Sequence, residues 1–194
     1  VRQPPAPFDQ LVMSWTGQLA PGTQVRFLTR VQIDGIWSDW YAMGDWTSSG
    51  VASVRGQRDA IGQVDVDILS LRSAAQAFQL RADVQPGDAA GQLRTIGAVV
   101  SSSREQYGPE LPEGSAWGID LDVPRRSQAI QPQPYTWSIC SPTSLCMVLG
   151  YWGTDLPVMD VAFAVQDHTT GIFGNWPANT AFASTLGYDA WVDR

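Results

Sequence analysis

The sequence has no lysine, a single histidine and two cysteines. These residues form no cluster of the kind that holds zinc, and we expect neither a metal nor a cofactor. No apolar run approaches the ~20 residues that a membrane-spanning helix requires, so no membrane span is predicted. Acidic residues outnumber the twelve basic ones and leave a net charge of -7, which repels phosphate backbones. Nucleic acid is therefore not expected as a partner.

The composition is that of a globular protein. Hydrophobic residues make up 44% of the 194 residues and charged residues 16%, a balance typical of folded domains. The length suits one large domain or two small ones. The first residues, 1–5, include neither an initiator methionine nor the apolar centre of a signal peptide, so we expect that an upstream part has been removed.

The first hundred residues show the period-two alternation of β-strands. Turn residues separate the apolar stretches, and Asp34-Gly35 is typical of a two-residue hairpin turn. The predicted strands cover residues 10–15, 23–33, 36–41, 62–71, 77–84 and 93–101. Short strands at this spacing predict an antiparallel β-sandwich, which we assign to residues 1–103.

The composition changes after residue 103. Residues 104–122 are rich in Gly, Pro, Ser and Glu without a clear period, and they are predicted to form a linker. Helical patterns are confined to residues 123–194. The predicted helices begin at Ser141 or Pro142, run from Pro157 to Gln166, and extend from an N-cap at Asn175 to a stop at Gly187. The fold class is therefore α+β.

Cys140 is the residue with the clearest chemical potential. It lies directly before the helix predicted to begin at Ser141 or Pro142. The unpaired amides and the positive dipole end of that helix would stabilise a thiolate, which is the nucleophilic form of cysteine. The same amides can stabilise a developing oxyanion. Many structural cysteines also lie near helix starts, so this placement alone leaves both interpretations open.

A longer pattern surrounds this cysteine. Residues 137–153 include Cys-Ser-Pro-Thr-Ser-Leu-Cys-Met-Val-Leu and are similar to the nucleophile signature of the bacteriocin-leader-processing family of papain-like cysteine peptidases. Residues 123–128 resemble the segment that carries this family's oxyanion glutamine, and residues 174–181 resemble a helix-opening motif. The resemblance implies that residues 123–194 form the helical first half of a papain-like domain. It also implies a peptide or protein substrate and, from the family's many secreted relatives, a secreted or cell-surface location.

The resemblance also implies roles for individual residues. Cys140 corresponds to the nucleophile and Gln128 to the oxyanion-hole donor. Gln131 and Gln133 lie closer to the cysteine in sequence and remain alternatives for the glutamine.

The catalytic histidine of this family follows the helical half, and no such segment occurs before Arg194. The one histidine, His168, lies with Asp167 in a polar loop between two predicted helices, and both are expected to be exposed loop residues. A catalytic role for His168 would require a different topology. We therefore expect the domain to be truncated before its histidine-bearing strands, with the base beyond Arg194, and the chain alone to be inactive.

Two further groups of residues have competing interpretations. Trp37, Trp40, Tyr41 and Trp46 cluster near one hairpin and suit either sugar stacking or the core of a small sandwich, of which the core is favoured. Cys146 lies about 240° around the helix from Cys140, given 100° per residue, and is expected to pack in the core. Their Cα atoms would be roughly 9 Å apart, which is too far for a disulfide.

Two pairs of aspartates have the spacing of oxygen ligands for calcium. They are Asp65 with Asp67 and Asp120 with Asp122. Neither pair has the glycine and terminal glutamate of an EF-hand loop, so exposed acidic residues are the favoured interpretation.

Three functions remain open from the sequence. The first is a secreted bacterial cysteine peptidase that cleaves peptide bonds through a Cys140 acyl-enzyme. The second is a non-catalytic module whose β-rich domain binds a cell-wall polysaccharide, another carbohydrate or a protein. The third keeps the thiol chemistry but directs it to amidase or acyl-transfer reactions.

Overall fold

A computed structural model describes residues 1–87, 89, 91–104 and 118–193. Within them, nine strands precede three α-helices, which confirms the α+β class. The strands are β1 (Phe8–Gln18), β2 (Gln24–Ile33), β3 (Ile36–Trp37), β4 (Tyr41–Thr47), β5 (Gly50–Ala52), β6 (Gly62–Asp65), β7 (Ile68–Ala75), β8 (Ala77–Gln85) and β9 (Gln92–Ser101). The helices are α1 (Cys140–Tyr151), α2 (Val158–Ala164) and α3 (Trp176–Thr185).

The strands form two antiparallel sheets. One has the order β6-β7-β1-β9. In the other, β2 pairs with β8 along one edge and with β3 and β4 along the other, and β5 adds to β4. The sheets meet through Trp15 of β1, which stacks on Phe27 of β2 at a centroid distance of 4.0 Å. The antiparallel β-sandwich predicted for this part of the chain is therefore confirmed.

Two tight turns decide how the strands connect. Asp34 and Gly35 both have positive φ, 50° and 82°, and join β2 to β3 as the predicted two-residue hairpin turn. The strand predicted over residues 62–71 is instead a hairpin, because Val66 adopts φ 59° and reverses the chain. This turn places Asp65 and Asp67 at one end of the sheet.

The strand predicted over residues 36–41 is also interrupted. Ser38 lies opposite Val31, and its amide donates to the Val31 carbonyl. The Val31 amide, however, donates to the Ser38 hydroxyl and not to a backbone carbonyl, as it would in a regular ladder. The chain re-enters the sheet only at Tyr41. The sequence predicted only the first residue of β4, Tyr41, to be in a strand, and it did not predict β5.

Strand β1 is buried on both faces, which explains how the helices are attached. Met13 and Trp15 face the interior of the sandwich, whereas Ser14 and Thr16 on the opposite face are also buried. Helix α3 packs over that second face. Buried side chains of both parts join one continuous apolar core, so the helices form a third layer against the sheet that contains β1.

The three helices lie close to their predicted positions. Helix α1 begins at Cys140 itself, and Gly187 follows α3 with φ 93° as a helix-ending glycine. No helix in the described part of the chain is long and apolar enough to span a membrane. Most of the predicted linker over residues 104–122 lies outside the described residues, and the predicted domain limits of 1–103 and 123–194 stay a prediction.

Candidate functional site

Cys140 is exposed and is the first residue of α1. The helix is held by the side chains around it, because Ile139 is fully buried and Thr143 bonds back to the Ile139 carbonyl with both its amide and its hydroxyl. The Cys140 and Ser141 amides donate to no described residue. The first turn therefore presents a thiol, two free N–H groups and the positive end of the helix dipole at the surface.

Gln128 lies in a 3-10 turn, residues 128–130, that Ser127 caps. A second such turn, residues 135–137, follows and leads to Cys140. Gln128 is half-buried, and its Oε1 is buried without a partner among the described residues. Its Nε2 likewise donates to no described residue and is free for another acceptor.

The two alternative glutamines are placed differently. The side-chain amide of Gln131 donates to the Ser127 carbonyl over 3.2 Å, and its backbone N–H donates to the Gln128 carbonyl. Gln133 is exposed and precedes Pro134 through a cis peptide bond. Of the three, Gln128 is the one that combines partial burial with an unengaged side-chain amide. Its assignment to the oxyanion hole stays a prediction, as does that of Cys140 as nucleophile.

A contact that sequence reasoning missed supports the first turn of α1. Asn179 of α3 donates from Nδ2 to Ser141 Oγ over 2.8 Å. A Cβ added to Gly174 would lie 3.9 Å from Ser141 Cβ, so the loop before α3 passes directly alongside. Both residues belong to the 174–181 motif, which was singled out in the sequence but given no role beyond opening a helix.

His168 is exposed, as expected, and is directed toward the sandwich. Its amide donates to the Val51 carbonyl over 3.0 Å. Its ring packs on Gly50, where an added Cβ would lie 2.9 Å from Nε2. No hydrogen bond in the described residues joins His168 to Cys140.

The prediction that Asp167 is an exposed loop residue is wrong, because it is fully buried. Oδ2 accepts from the amide and hydroxyl of Ser53 and from Asn175 Nδ2, and Oδ1 accepts from the Thr169 and Thr170 amides. Burial alone would raise the pKa of Asp167, but these hydrogen bonds outweigh it and hold the pKa below its usual value. The ionised carboxylate therefore has a structural role and connects these segments by hydrogen bonds.

The two aspartate pairs also include both exposed and buried residues. Asp65, Asp120 and Asp122 are exposed as predicted, but Asp67 is 8% exposed and accepts from the Trp176 amide at the start of α3. Its burial raises its pKa. No group of three metal-ligating side chains occurs among the described residues.

The aromatic cluster is split between core and surface. Tyr41 and Trp46 are buried, whereas Trp37 and Trp40 are half-buried. The Arg30 guanidinium lies over both of the latter rings, 5.0 and 4.8 Å from their centroids. Any sugar stacking in this cluster is thus left to Trp37 and Trp40.

Cys146 is buried, which confirms its predicted place in the core. Its burial raises the pKa of its thiol, so it is chemically unlike the exposed Cys140.

A cleft of about 780 Å³ adjoins the segment that leads to Cys140. Three parts of the chain line it: the β6–β7 turn, the residues before α1, and the loop before α3. The sandwich and the helical layer therefore share this cleft.

Comparison with known families gives two matches. The model described as Peptidase C39 N-terminal domain matches residues 1–101. The model described as Peptidase C39-like family matches residues 120–193. Neither the curated proteins nor the solved structures gave a match.

Proposed function

Because this chain belongs to the Peptidase C39 N-terminal domain family and continues into a Peptidase C39-like domain, we propose that it carries the nucleophile of a cysteine peptidase. The observation that carries the proposal is the exposed Cys140 at the first position of α1, beside two amides that donate to no described residue. A thiol there is accessible to a peptide and lies at the positive end of the helix dipole.

The proposed reaction proceeds through a thioester. The Cys140 thiolate attacks the carbonyl carbon of the scissile peptide, and the oxyanion accepts hydrogen bonds from the Cys140 amide and Gln128 Nε2. The intermediate expels the amine, which takes a proton from an imidazolium, and water then hydrolyses the thioester. We place that imidazole outside residues 1–194, since His168 packs on Gly50.

The alternative thiol reactions share the first half of this scheme. An amidase would release ammonia or a small amine, and an acyltransferase would resolve the thioester with an amine in place of water. Mass spectrometry of products from peptides and peptidoglycan fragments separates these outcomes. Hydrolysed peptides support the peptidase proposal, whereas the exclusive formation of acyl-transfer products contradicts it.

The non-catalytic alternative rests on the β-sandwich. A carbohydrate or cell-wall ligand would have to stack on Trp37 and Trp40, whose faces already carry Arg30. Isothermal titration of soluble wall polysaccharide against Trp40→Ala tests this alternative. A secreted or cell-surface location is proposed from the resemblance to secreted peptidases, and fractionation of the producing cells tests it.

The decisive experiment on the peptidase proposal measures thiol reactivity at neutral pH. In a Cys146→Ala variant, the rate of iodoacetamide alkylation reports Cys140 alone. A nucleophile exposed at the first position of α1 should be alkylated faster than free cysteine at the same pH. A rate at or below that of free cysteine would contradict the proposal. The full-length natural protein is then assayed for peptide cleavage, with Cys140→Ser as the inactive control.

A further inference from the structure

The cleft beside the nucleophile segment has one wall from the β-sandwich. That wall is the β6–β7 turn, which supplies Asp65 and Asp67. The opposite side consists of the residues before α1, including Tyr135 and Ser138, and of the loop that ends at Trp176. The sandwich therefore contributes directly to the surface that a ligand in this cleft would contact.

The charge of the cleft has one sign. Asp65 and Asp67 are the charged side chains among the described residues that line it. Asp65 is exposed and forms no ion pair with a described residue. The apolar lining includes Ile172 and Trp176, which are 41% and 48% exposed. Carboxylates beside exposed apolar surface suit a side chain with an aliphatic stem and a cationic head.

On the opposite side of the cleft, one atom of a buried polar side chain lacks a partner. Asn175 lines the cleft and is 3% exposed. Because the Asp167 carboxylate can only accept, Asn175 must direct Nδ2 toward it, and this fixes the orientation of the amide. Oδ1 is then left without a donor in the described residues. A buried acceptor without a donor is unusual in a folded protein, and in the lining of a cleft it is a position that a donor from outside the chain would satisfy.

The cleft is close to the reactive thiol. Ser138 lines it and precedes Cys140 by two residues, a span of at most about 7 Å of extended chain. On the other side, Gly174 of the cleft packs alongside Ser141. A peptide whose carbonyl lies at Cys140 can therefore place a neighbouring side chain in the cleft.

We propose that this cleft is a specificity site for a lysine or arginine side chain of the substrate, with the β6–β7 turn of the sandwich supplying the counter-charge through Asp65 and Asp67. The proposal rests on the proposed peptidase function and assigns a role in it to the N-terminal domain. The side-chain stem packs on Trp176 and Ile172, and the cationic head faces Asp65.

The test uses capped tripeptide chloromethyl ketones that alkylate Cys140 in the Cys146→Ala protein. Arginine, norleucine or glutamate occupies each of the three positions in turn, and the other positions are alanine. Intact mass gives the concentration for half-maximal alkylation rate and the limiting rate. At one position we expect arginine to lower the half-maximal concentration about tenfold relative to norleucine, the size of one charge-assisted contact.

The variants identify which wall of the cleft causes the preference for arginine. Asp65→Asn should reduce the preference for arginine over norleucine to about two- to threefold, and Asp65→Arg should make glutamate the preferred residue. Asp34→Asn changes an exposed turn aspartate outside the cleft and should leave the preference intact. Equal half-maximal concentrations for arginine, norleucine and glutamate at every position, or an unchanged preference in both Asp65 variants, would overturn the cleft proposal while Cys140 still reacts. If no probe alkylates Cys140 faster than free cysteine, the peptidase proposal fails and the cleft proposal fails with it.

Discussion

Asp167 and Ser53, 114 residues apart, are joined by two hydrogen bonds to one carboxylate oxygen. The amide of Ser53 donates over 2.9 Å and its hydroxyl donates as well. The same oxygen accepts from Asn175 Nδ2 over 2.5 Å. One buried carboxylate thus connects the segment after β5, the loop after α2 and the residue before α3. It holds Asn175, which lines the cleft, beside Ser53 of the segment after β5.

Replacing Asp167 should destabilise the whole chain. In Asp167→Ala, the buried donors of Ser53 and Asn175 lose their acceptor, and donors buried without partners are costly. We expect a loss of about 2–4 kcal/mol in the free energy of unfolding, measured by guanidinium denaturation. Asp122→Ala removes an exposed aspartate and should change stability by less than about 0.5 kcal/mol. Equal effects of the two substitutions would show that the Asp167 contacts contribute nothing specific.

The contribution of Asp167 should depend on pH. Its pKa is lower in the folded protein than the ordinary 3.8, so the folded state favours the ionised form. The stabilisation is therefore fully present above pH 3.8 and is lost as pH falls through the folded pKa. Asp67, whose pKa is raised, acts in the opposite sense: it favours the folded state below its unfolded pKa and loses that contribution as pH rises through the folded value.

The difference between the parent protein and Asp167→Asn isolates the first effect. Melting temperatures from pH 6 to pH 2.5 should show a gap between the two proteins that narrows below pH 3.8. A gap that stays constant over this range would mean that ionisation of Asp167 does not stabilise the fold.

Ser184 should be the more important of two adjacent hydroxyl residues in α3. Its Oγ is buried and lies 3.0 Å from the Gly17 amide, from which it accepts a hydrogen bond. Ser184→Ala leaves that amide unsatisfied between helix and sheet and should cost about 1–3 kcal/mol. Thr185 is exposed, and its hydroxyl bonds only within the helix, so Thr185→Ala should be nearly neutral. Thermal unfolding of both variants checks the contrast, and similar melting temperatures would refute it.

Local patterns were sufficient for most of the elements. Asp34-Gly35 specifies a turn with positive φ at both positions. Pro142 and Pro177 mark helix starts through their fixed φ, and Gly187 marks a helix end because glycine adopts positive φ without strain. Such signals act within a few residues, so they can be read from a single sequence. The division of residues 62–71 was missed because Val66, a β-branched residue, gives no hint of positive φ.

Only part of the candidate site could be predicted from the sequence, because only part of it depends on local signals. The place of Cys140 before a helix is a local property. The contact of Asn179 with Ser141 and that of Asp67 with the Trp176 amide join distant segments that only the folded chain brings together. Asp67 and Asp167 were both assigned to the surface because aspartate is seldom buried without partners. The Trp176 amide that bonds Asp67 is 109 residues away, and Ser53, one of the partners of Asp167, is 114 residues away.

The two cysteines should differ sharply in reactivity within the native protein. Cys140 is exposed, whereas Cys146 is 1% exposed and its burial raises the pKa of its thiol. In Cys140→Ala, iodoacetamide at neutral pH should therefore leave Cys146 unmodified until the protein unfolds. In Cys146→Ala, Cys140 should be modified without denaturant. Intact mass after timed alkylation, with and without guanidinium, measures both. Modification of Cys146 at the same rate as Cys140 in the native protein would contradict the packing of α1 against the core, because a thiol held there is reached only through unfolding.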